Sequence, residues 1–444
     1  MTIAASRLAA SPPAVPAGAV LHPLAGRNHE RLADQYADLL MLDWQRRAKV
    51  LRNPTLDFHA LWQHDDRLQS ALDSLLWLGE PARAPMQAWL KEPLRQNETF
   101  ALTLYALAAR DTALLDTCCA LIVAIPDLQG AFTAAFLWAP VSPLFIQRLS
   151  QLPPALRIQI VSQRHFHLPG TIDDTLGWMR TLDPTPSIAE HALHFVRHLG
   201  DPQMARAAQS YLRHEAAGVR LAATQILLLL CSAEYRPLAR DGLLALIHGD
   251  DPVVAAAALR CLALHDPIGA AAPVEALAQR DDARRVYLSA LGWRGDLAAV
   301  PILLDYLDDP HHSRIAAAAL MLLTGSDPAR DGWLAPRPDQ ARSEAEDHIP
   351  PRDADDSLPW PDAQGFRQWW RRQASRFARD RRHFLGQPLT LPWLDAVLYG
   401  GPLPWRRLAA EHRQRLLRGP LFPTELPAAT QRALFPTLHA KASP

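Results

Sequence analysis

The chain has 444 residues, 49 % of them apolar, with 46 basic and 46 acidic side chains and a formal net charge of zero. A single compact core rarely grows to that length, so several domains or an extended repeat array are expected, and balanced charge excludes bulk attraction as a guide to any partner. The longest apolar stretches, 120–125 and 226–231, are too short to span a bilayer, and Cys118, Cys119, Cys231 and Cys261 form no CxxC pair and sit in apolar runs, so buried thiols in a cytoplasmic, reducing setting are expected.

Residues 1–25 are Ala- and Pro-rich and lack an uninterrupted apolar core, which reads as a disordered leader rather than a secretion signal. Residues 26–185 read as an N-terminal helical region. A first helix is predicted over 29–51, with Leu32, Tyr36, Leu39, Leu40 and Leu42 as its apolar stripe. A second is predicted over 65–78, ended by Gly79, and Pro81 opens a partner carrying Met86, Trp89 and Leu90. Asn97 is expected to cap the next, followed by helices over 112–125 and 128–138. Between 141 and 185, five prolines predict short, irregular pieces.

Residues 186–325 are more regular. The stretch DPVVAAAALRCLALHD at 251–266 reads as a helix with almost no wet face, capped by Asp251 and carrying Arg260 as its only internal charge. The run 255–258 is all Ala, which lets neighbouring helices approach closely, and Ala257→Arg is expected to cost several kcal/mol, on the order of a buried unpaired charge. Similar runs recur at 218–231, 281–292 and 309–325. Between them lie amphipathic segments at 271–278 and 301–307. Leu259, Leu288 and Leu320 align at about 30 residues, the length of a two-helix solenoid repeat.

Residues 326–362 hold ten acids against four arginines and read as an acidic, Pro-rich linker. Residues 363–438 form a Trp/Arg-rich C-terminal helical domain: six of the thirteen tryptophans lie between 333 and 405. A helix is predicted over 361–384, and shorter ones over 391–398 and 403–417. An aromatic core separate from that of the repeats is expected here.

Several stretches look familiar together: DDRLQSALDSLLWLGEPA at 65–82, NETFALTLYALAARD at 97–111, DDSLPWPDAQGFRQWW at 355–370 and HFLGQPLTLPWLDAVLYGG at 383–401. The chain resembles, over roughly 26–436, a family of proteobacterial HEAT-like repeat proteins, whose repeats are of the kind first named in phycobilisome lyase subunits. LPWPD and LPWLDAVLYGG are the more distinctive matches. Genes of that family often lie beside type VI secretion genes, and some members help load effectors onto the secreted spike. The resemblance therefore implies an accessory or adaptor protein whose partner is an effector, a spike component or a chaperone. It carries no catalytic residues to transfer. The expected fold is all-α, an α-solenoid of HEAT-like helix pairs with a C-terminal helical cap.

No residue set supports catalysis. GxGxxG, GxxxxGK[ST], GxSxG and HExxH are all absent, so no enzyme, cofactor or metal is expected. His191, His194 and His198 share one helical stripe, but no acid or Cys is spaced to complete a metal site. Adjacent Cys118 and Cys119 point about 100° apart on a helix and are expected to pack rather than bond.

The chemical asymmetry lies at the C-terminal end. From 366 to 418 there are twelve arginines against Asp380, Asp395 and Glu411. The candidate partner-binding residues are Trp360, Arg367, Trp369, Trp370, Arg371, Arg372 and Arg376. Three readings remain open: a solvated basic face partly neutralised by the acidic linker, a protein-binding surface, or a nucleic-acid surface. The repeat zone disfavours nucleic acid, since 201–325 carries eleven arginines against fourteen acids. The function expected is a non-enzymatic protein-binding scaffold or adaptor, with a nucleic-acid-binding protein using the basic C-terminal helix as the alternative.

Overall fold

The computed structural model describes residues 23–179, 185–336, 355–378 and 380–440. Residues 1–22, 180–184, 337–354, Arg379 and 441–444 lie outside the described residues, and with them most of the segment expected as a leader and much of that expected as a linker. The chain is all-α, with one two-residue hairpin among the described residues. It divides into two compact units, residues 1–47 with 63–151, and 48–62 with 152–444.

The first unit contains most of α1 (Pro23–Arg52) and α2 (Phe58–Leu78), then α3 (Arg83–Trp89), α4 (Gln96–Ala109), α5 (Thr112–Ala124), α6 (Gln129–Trp138) and α7 (Pro143–Gln151). Helix α4 packs on α5 and α6, and its residues from Thr99 to Leu107 are all buried. Trp44 stacks on Phe100 with ring centroids 4.7 Å apart. A buried ion pair joins α1 to α2: Arg47 donates to both oxygens of Asp65, at 2.8 and 3.1 Å. Asn97 is not the cap of α4. Glu98 instead accepts from the Arg95 backbone N–H at 2.7 Å, so the cap is Arg95 and the helix starts two residues earlier than expected.

The second unit is the solenoid. It runs through α8 (Pro154–Arg164), α9 (Pro169–Met179), α10 (Pro186–Leu199), α11 (Pro202–Arg206), α12 (Ala217–Leu230), α13 (Arg236–Ile247), α14 (Pro252–His265), α15 (Ala271–Leu277), α16 (Arg284–Arg294), α17 (Val300–Asp305) and α18 (Ser313–Thr324). Helices α8, α10, α12, α14, α16 and α18 pack side by side as a central layer. Helices α11, α13, α15 and α17 form an outer layer, with α13 seated on both α12 and α14. Aspartates start the turns between them. Asp251 accepts from the N–H groups of Val253 and Val254 at 2.9 and 3.1 Å, and Asp309 from His311 at 2.8 Å.

The C-terminal segment adds α19 (Ala363–Gln373), β1 (His383–Phe384), β2 (Gln387–Pro388), α20 (Leu391–Gly400), α21 (Leu403–Leu417) and α22 (Ala428–Ala440). Helix α21 lies against α12 and α14, and β1 against α18. The central layer is therefore covered by outer helices and by the chain's own C-terminal end, which is why its helices are apolar nearly all round. Trp333, Phe366, Phe384 and Trp405 join the same continuous core as the repeat helices.

Two expectations are corrected here. Helix α14 is not dry along its whole length. Its C-terminal half is buried from Ala258 to His265 apart from Arg260, but Val253 is 77 % exposed and Ala255 to Ala257 are half-buried. Close approach by small residues is instead seen one pair along, where a Cβ on Gly292 of α16 would lie 3.0 Å from Ala319 of α18.

The helix predicted over 361–384 stops at Gln373, passes through a 3₁₀ turn at Ala374–Arg376 and becomes extended at Phe377. Its last residues have other work: they satisfy carbonyls at the ends of three central helices. Arg382 donates to the carbonyls of Leu264, Trp293 and Arg294. The N–H of His383 donates to Gly295, that of Leu385 to Leu322, and that of Gly386 to Leu323. Those carbonyls are the orphan acceptors every helix leaves at its C-terminus.

A candidate interaction site on the C-terminal segment

Helix α19 begins where Asp362 accepts from the Gln364 N–H at 3.0 Å. The chain before it is clamped to the segment after α18, with the Ala335 N–H on the Trp360 carbonyl at 2.9 Å and the Asp362 N–H on Trp333 at 2.7 Å. Phe366 is fully buried against Trp333, ring centroids 5.0 Å apart. From it a ladder of rings runs through Trp369, Trp370, Phe377 and His383, with steps of 5.4, 6.4, 5.3 and 5.7 Å. This periodicity places the aromatics on one side of α19 and the remaining arginines on the other.

The seven candidate residues therefore divide. Trp360 lies beneath Arg314 of α18, whose guanidinium carbon is 4.4 Å from the ring centre. Arg367 pairs with Asp308 and donates to the Leu304 carbonyl at 2.9 Å. Its hydrogen bond holds the Asp308 carboxyl below the usual range. These two side chains tie the segment to the repeats. Trp369 and Trp370 are half-buried in the ladder. Arg371, Arg372 and Arg376 are exposed, and among the described residues none of them forms an ion pair. Arg372 donates to the Gln368 carbonyl, at 3.2 Å.

The acids upstream go elsewhere. Asp355 takes both guanidinium nitrogens of Arg285, at 2.7 and 2.6 Å, and its carbonyl accepts from Arg314. Asp356 pairs with Lys49 at 2.6 Å. The described part of the acidic linker thus answers cations of α1, α16 and α18, and not the exposed arginines of α19.

The sequence reading missed a second polar centre beneath α21. Glu411 is 2 % exposed. Its carboxylate lies 3.1 Å from Arg197 of α10, 2.9 Å from Arg260 of α14, 3.7 Å from Arg407 and 3.9 Å from His265. Burial raises this carboxyl, but Arg260, His265 and Arg197 outweigh burial and hold it well below the ordinary range. Burial pushes His265 down to about 4, against the pull of Glu411. His412, with its ring 5.1 Å from that of His265, is pushed well down by burial and by His265. One signal was available: Arg260 is the only charge inside α14 and Glu411 the only acid inside α21. A lone charge on a buried helix asks for a partner.

The three spaced histidines do not converge on one ligand. His191 and His198 each turn a ring nitrogen to the carbonyl four residues back, at 2.7 and 2.8 Å, and burial pushes His198 down to about 3. Among the described residues no cluster of three or more His, Cys, Asp or Glu could hold a metal. All four cysteines are free thiols. No helix among the described residues is long and apolar enough to cross a membrane.

Comparison with known families adds one finding: residues 240–324 match the family of HEAT repeats. The matched span runs from α13 to the end of α18, the most regular part of the central and outer layers. No curated protein and no solved structure matches the chain. The chain therefore carries HEAT repeats, a repeat class that generally serves as a scaffold for protein interaction.

Proposed function

We propose that this protein is a non-enzymatic scaffold or adaptor in the cytoplasm, and that the exposed face of α19 is where its partner docks. The observation that carries this is the state of Arg371 and Arg372 of α19 and Arg376 of the turn after it: exposed, without an ionic partner among the described residues, and backed by half-buried Trp369 and Trp370 on a helix anchored at Trp360 and Arg367. Arg and Trp are the side chains that most often dominate the energy of a protein interface. The family resemblance points to a type VI secretion effector, spike component or chaperone as that partner.

The test is capture from the native host with the full chain and with Arg371→Glu/Arg372→Glu/Arg376→Glu. A spike, effector or chaperone protein retained by wild type and reduced at least tenfold by the variant is expected. Recovery of none, or equal recovery by both, overturns the proposal. The same basic face is the sole support for nucleic-acid binding. Retention on random DNA that falls steeply with salt would favour that alternative, since phosphate contacts release counterions.

A further inference from the structure

Three guanidinium groups gather at the C-terminal ends of α14 and α16. Arg382 comes from the segment before β1. It donates through Nε to the Arg294 carbonyl at 2.8 Å, and through Nη2 to the carbonyls of Leu264 and Trp293 at 3.0 and 3.2 Å. Its Nη1 has no partner among the described residues. Arg294 ends α16, and its Nε is closed off from solvent without a hydrogen-bond partner. Arg415 stands in the last turn of α21, which packs on α14. All three side chains are half-buried. Among the described residues, neither Arg294 nor Arg415 makes a side-chain hydrogen bond, and no carboxylate forms an ion pair with any of the three.

The charges act on one another. Burial, then Arg415 and Arg294, push the Arg382 guanidinium down to about 10. Burial, then Arg236 of α13, push Arg415 down against the pull of Asp266. Arg236 is exposed and also lacks an ionic partner among the described residues. The acids close by are committed elsewhere. Asp266 pairs with Arg240 at 2.5 Å and accepts the Gly269 N–H at 3.3 Å, and Asp296 accepts the Ala298 N–H at 2.9 Å. The negative ends of α14 and α16 account for Arg382. They leave two further cations beside it unanswered, and a half-buried charge is costly unless it is paired.

We propose that this cluster is an anion site for a small phosphate-bearing molecule, held by Arg294, Arg415 and the free Nη1 of Arg382, with Arg236 beside them. The ligand supplies the counter-charge that the described chain does not. A phosphate fits better than a carboxylate. A carboxylate is planar and suits one guanidinium fork, whereas a phosphate offers oxygens in several directions to donors from three separate segments. The inference goes beyond the adaptor reading, which concerns Arg371, Arg372 and Arg376, and does not depend on it.

Calorimetric titration of the full chain at fixed ionic strength tests the site, with pyrophosphate as the probe and citrate as a carboxylate of similar charge. Saturable binding of pyrophosphate, at least tenfold tighter than citrate, is expected. Arg415→Gln and Arg294→Gln should each weaken it at least tenfold. Each removes a like charge from the cluster, so neither should lower the melting temperature of the protein alone, and both should lose the rise that pyrophosphate gives the wild type. Arg371→Gln on α19 should leave pyrophosphate binding unchanged. Absence of saturable binding, equal affinity for citrate, or wild-type affinity in both variants overturns the proposal. Binding of a single-stranded oligonucleotide through these arginines, with none of pyrophosphate, overturns it too. The comparison of pyrophosphate with citrate uses the wild-type protein, so it stands even if a variant fails to fold.

Discussion

At residue 411 one carboxylate faces two guanidinium groups from two helices of the central layer, and the histidines beside it are held neutral. This has a consequence for pH. His265, His412 and His198 all have folded-state pKa values depressed by burial, so folding favours their neutral forms. Their contribution is complete above the unfolded value of about 6.5 and is lost as pH falls, through about 4 for His265 and about 3 for His198. Glu411 adds a loss below the ordinary carboxylate range. Between pH 7.5 and 5, His265 alone should remove about 2 kcal/mol. Urea unfolding at the two pH values checks this, and an unchanged midpoint would refute it. His265→Gln should flatten the pH dependence. In the sequence only the lone charges Arg260 and Glu411 hinted at this centre. The charges lie at 197, 260, 265 and 411, and only the fold brings them within 4 Å.

At the level of single helices, the repeat helices were readable because capping, periodicity and burial all agree there. Asp251, Pro252 and the apolar run to His265 each point to the same α-helix. The failure at 374–384 has the opposite cause. Its composition suits a helix, but unfilled carbonyls on α14, α16 and α18 claim Arg382 and the N–H groups of His383, Leu385 and Gly386. A competing tertiary demand of this kind leaves no local trace. Helix α22 was also missed, since Pro436 stands inside it.

Two contrasts test the packing of these helices. Ala317 of α18 is fully buried while Ala257 of α14 is half-buried. Ala317→Arg should cost about 3 kcal/mol or more, and Ala257→Arg about 1 kcal/mol or less. Equal thermal shifts for the two would show the burial to be misread. Gly200 and Gly79 both have positive φ, +67° and +66°. A Cβ on Gly200 would overlap the backbone of Gly419, whereas one on Gly79 meets open space. Gly79→Ala should therefore show only the strain of its backbone conformation, about 1–3 kcal/mol, and Gly200→Ala, which adds the overlap with Gly419, clearly more, read as shifts in urea midpoint.

For the whole molecule, composition and repeats were enough to expect an all-α repeat protein, and residues 240–324 match HEAT repeats. The way the chain threads between units was not legible, because residues 48–62 belong with the second unit although they lie within the first two helices. The cysteines offer a probe of each unit. Cys118 and Cys119 lie in the first, Cys231 and Cys261 in the second. Burial pushes the thiols of Cys118 and Cys261 up to about 12. In native buffer Cys119, half-buried, should label with iodoacetamide at least tenfold faster than either. Labelling of Cys261 as fast as Cys119 would rule out the covered C-terminal half of α14.

The C-terminal segment over the central layer also has a place in time. Ribosomes deliver the chain from its N-terminus, so helices α12 to α18 emerge complete while α21 is still untranslated. At about 5–20 residues per second, that interval is on the order of ten seconds. Throughout it, a face whose floor is Leu, Ile and Ala stands bare, with Arg197 and Arg260 lacking their carboxylate. Each newly made molecule thus passes through a stage in which this surface is open to any helix that arrives before its own.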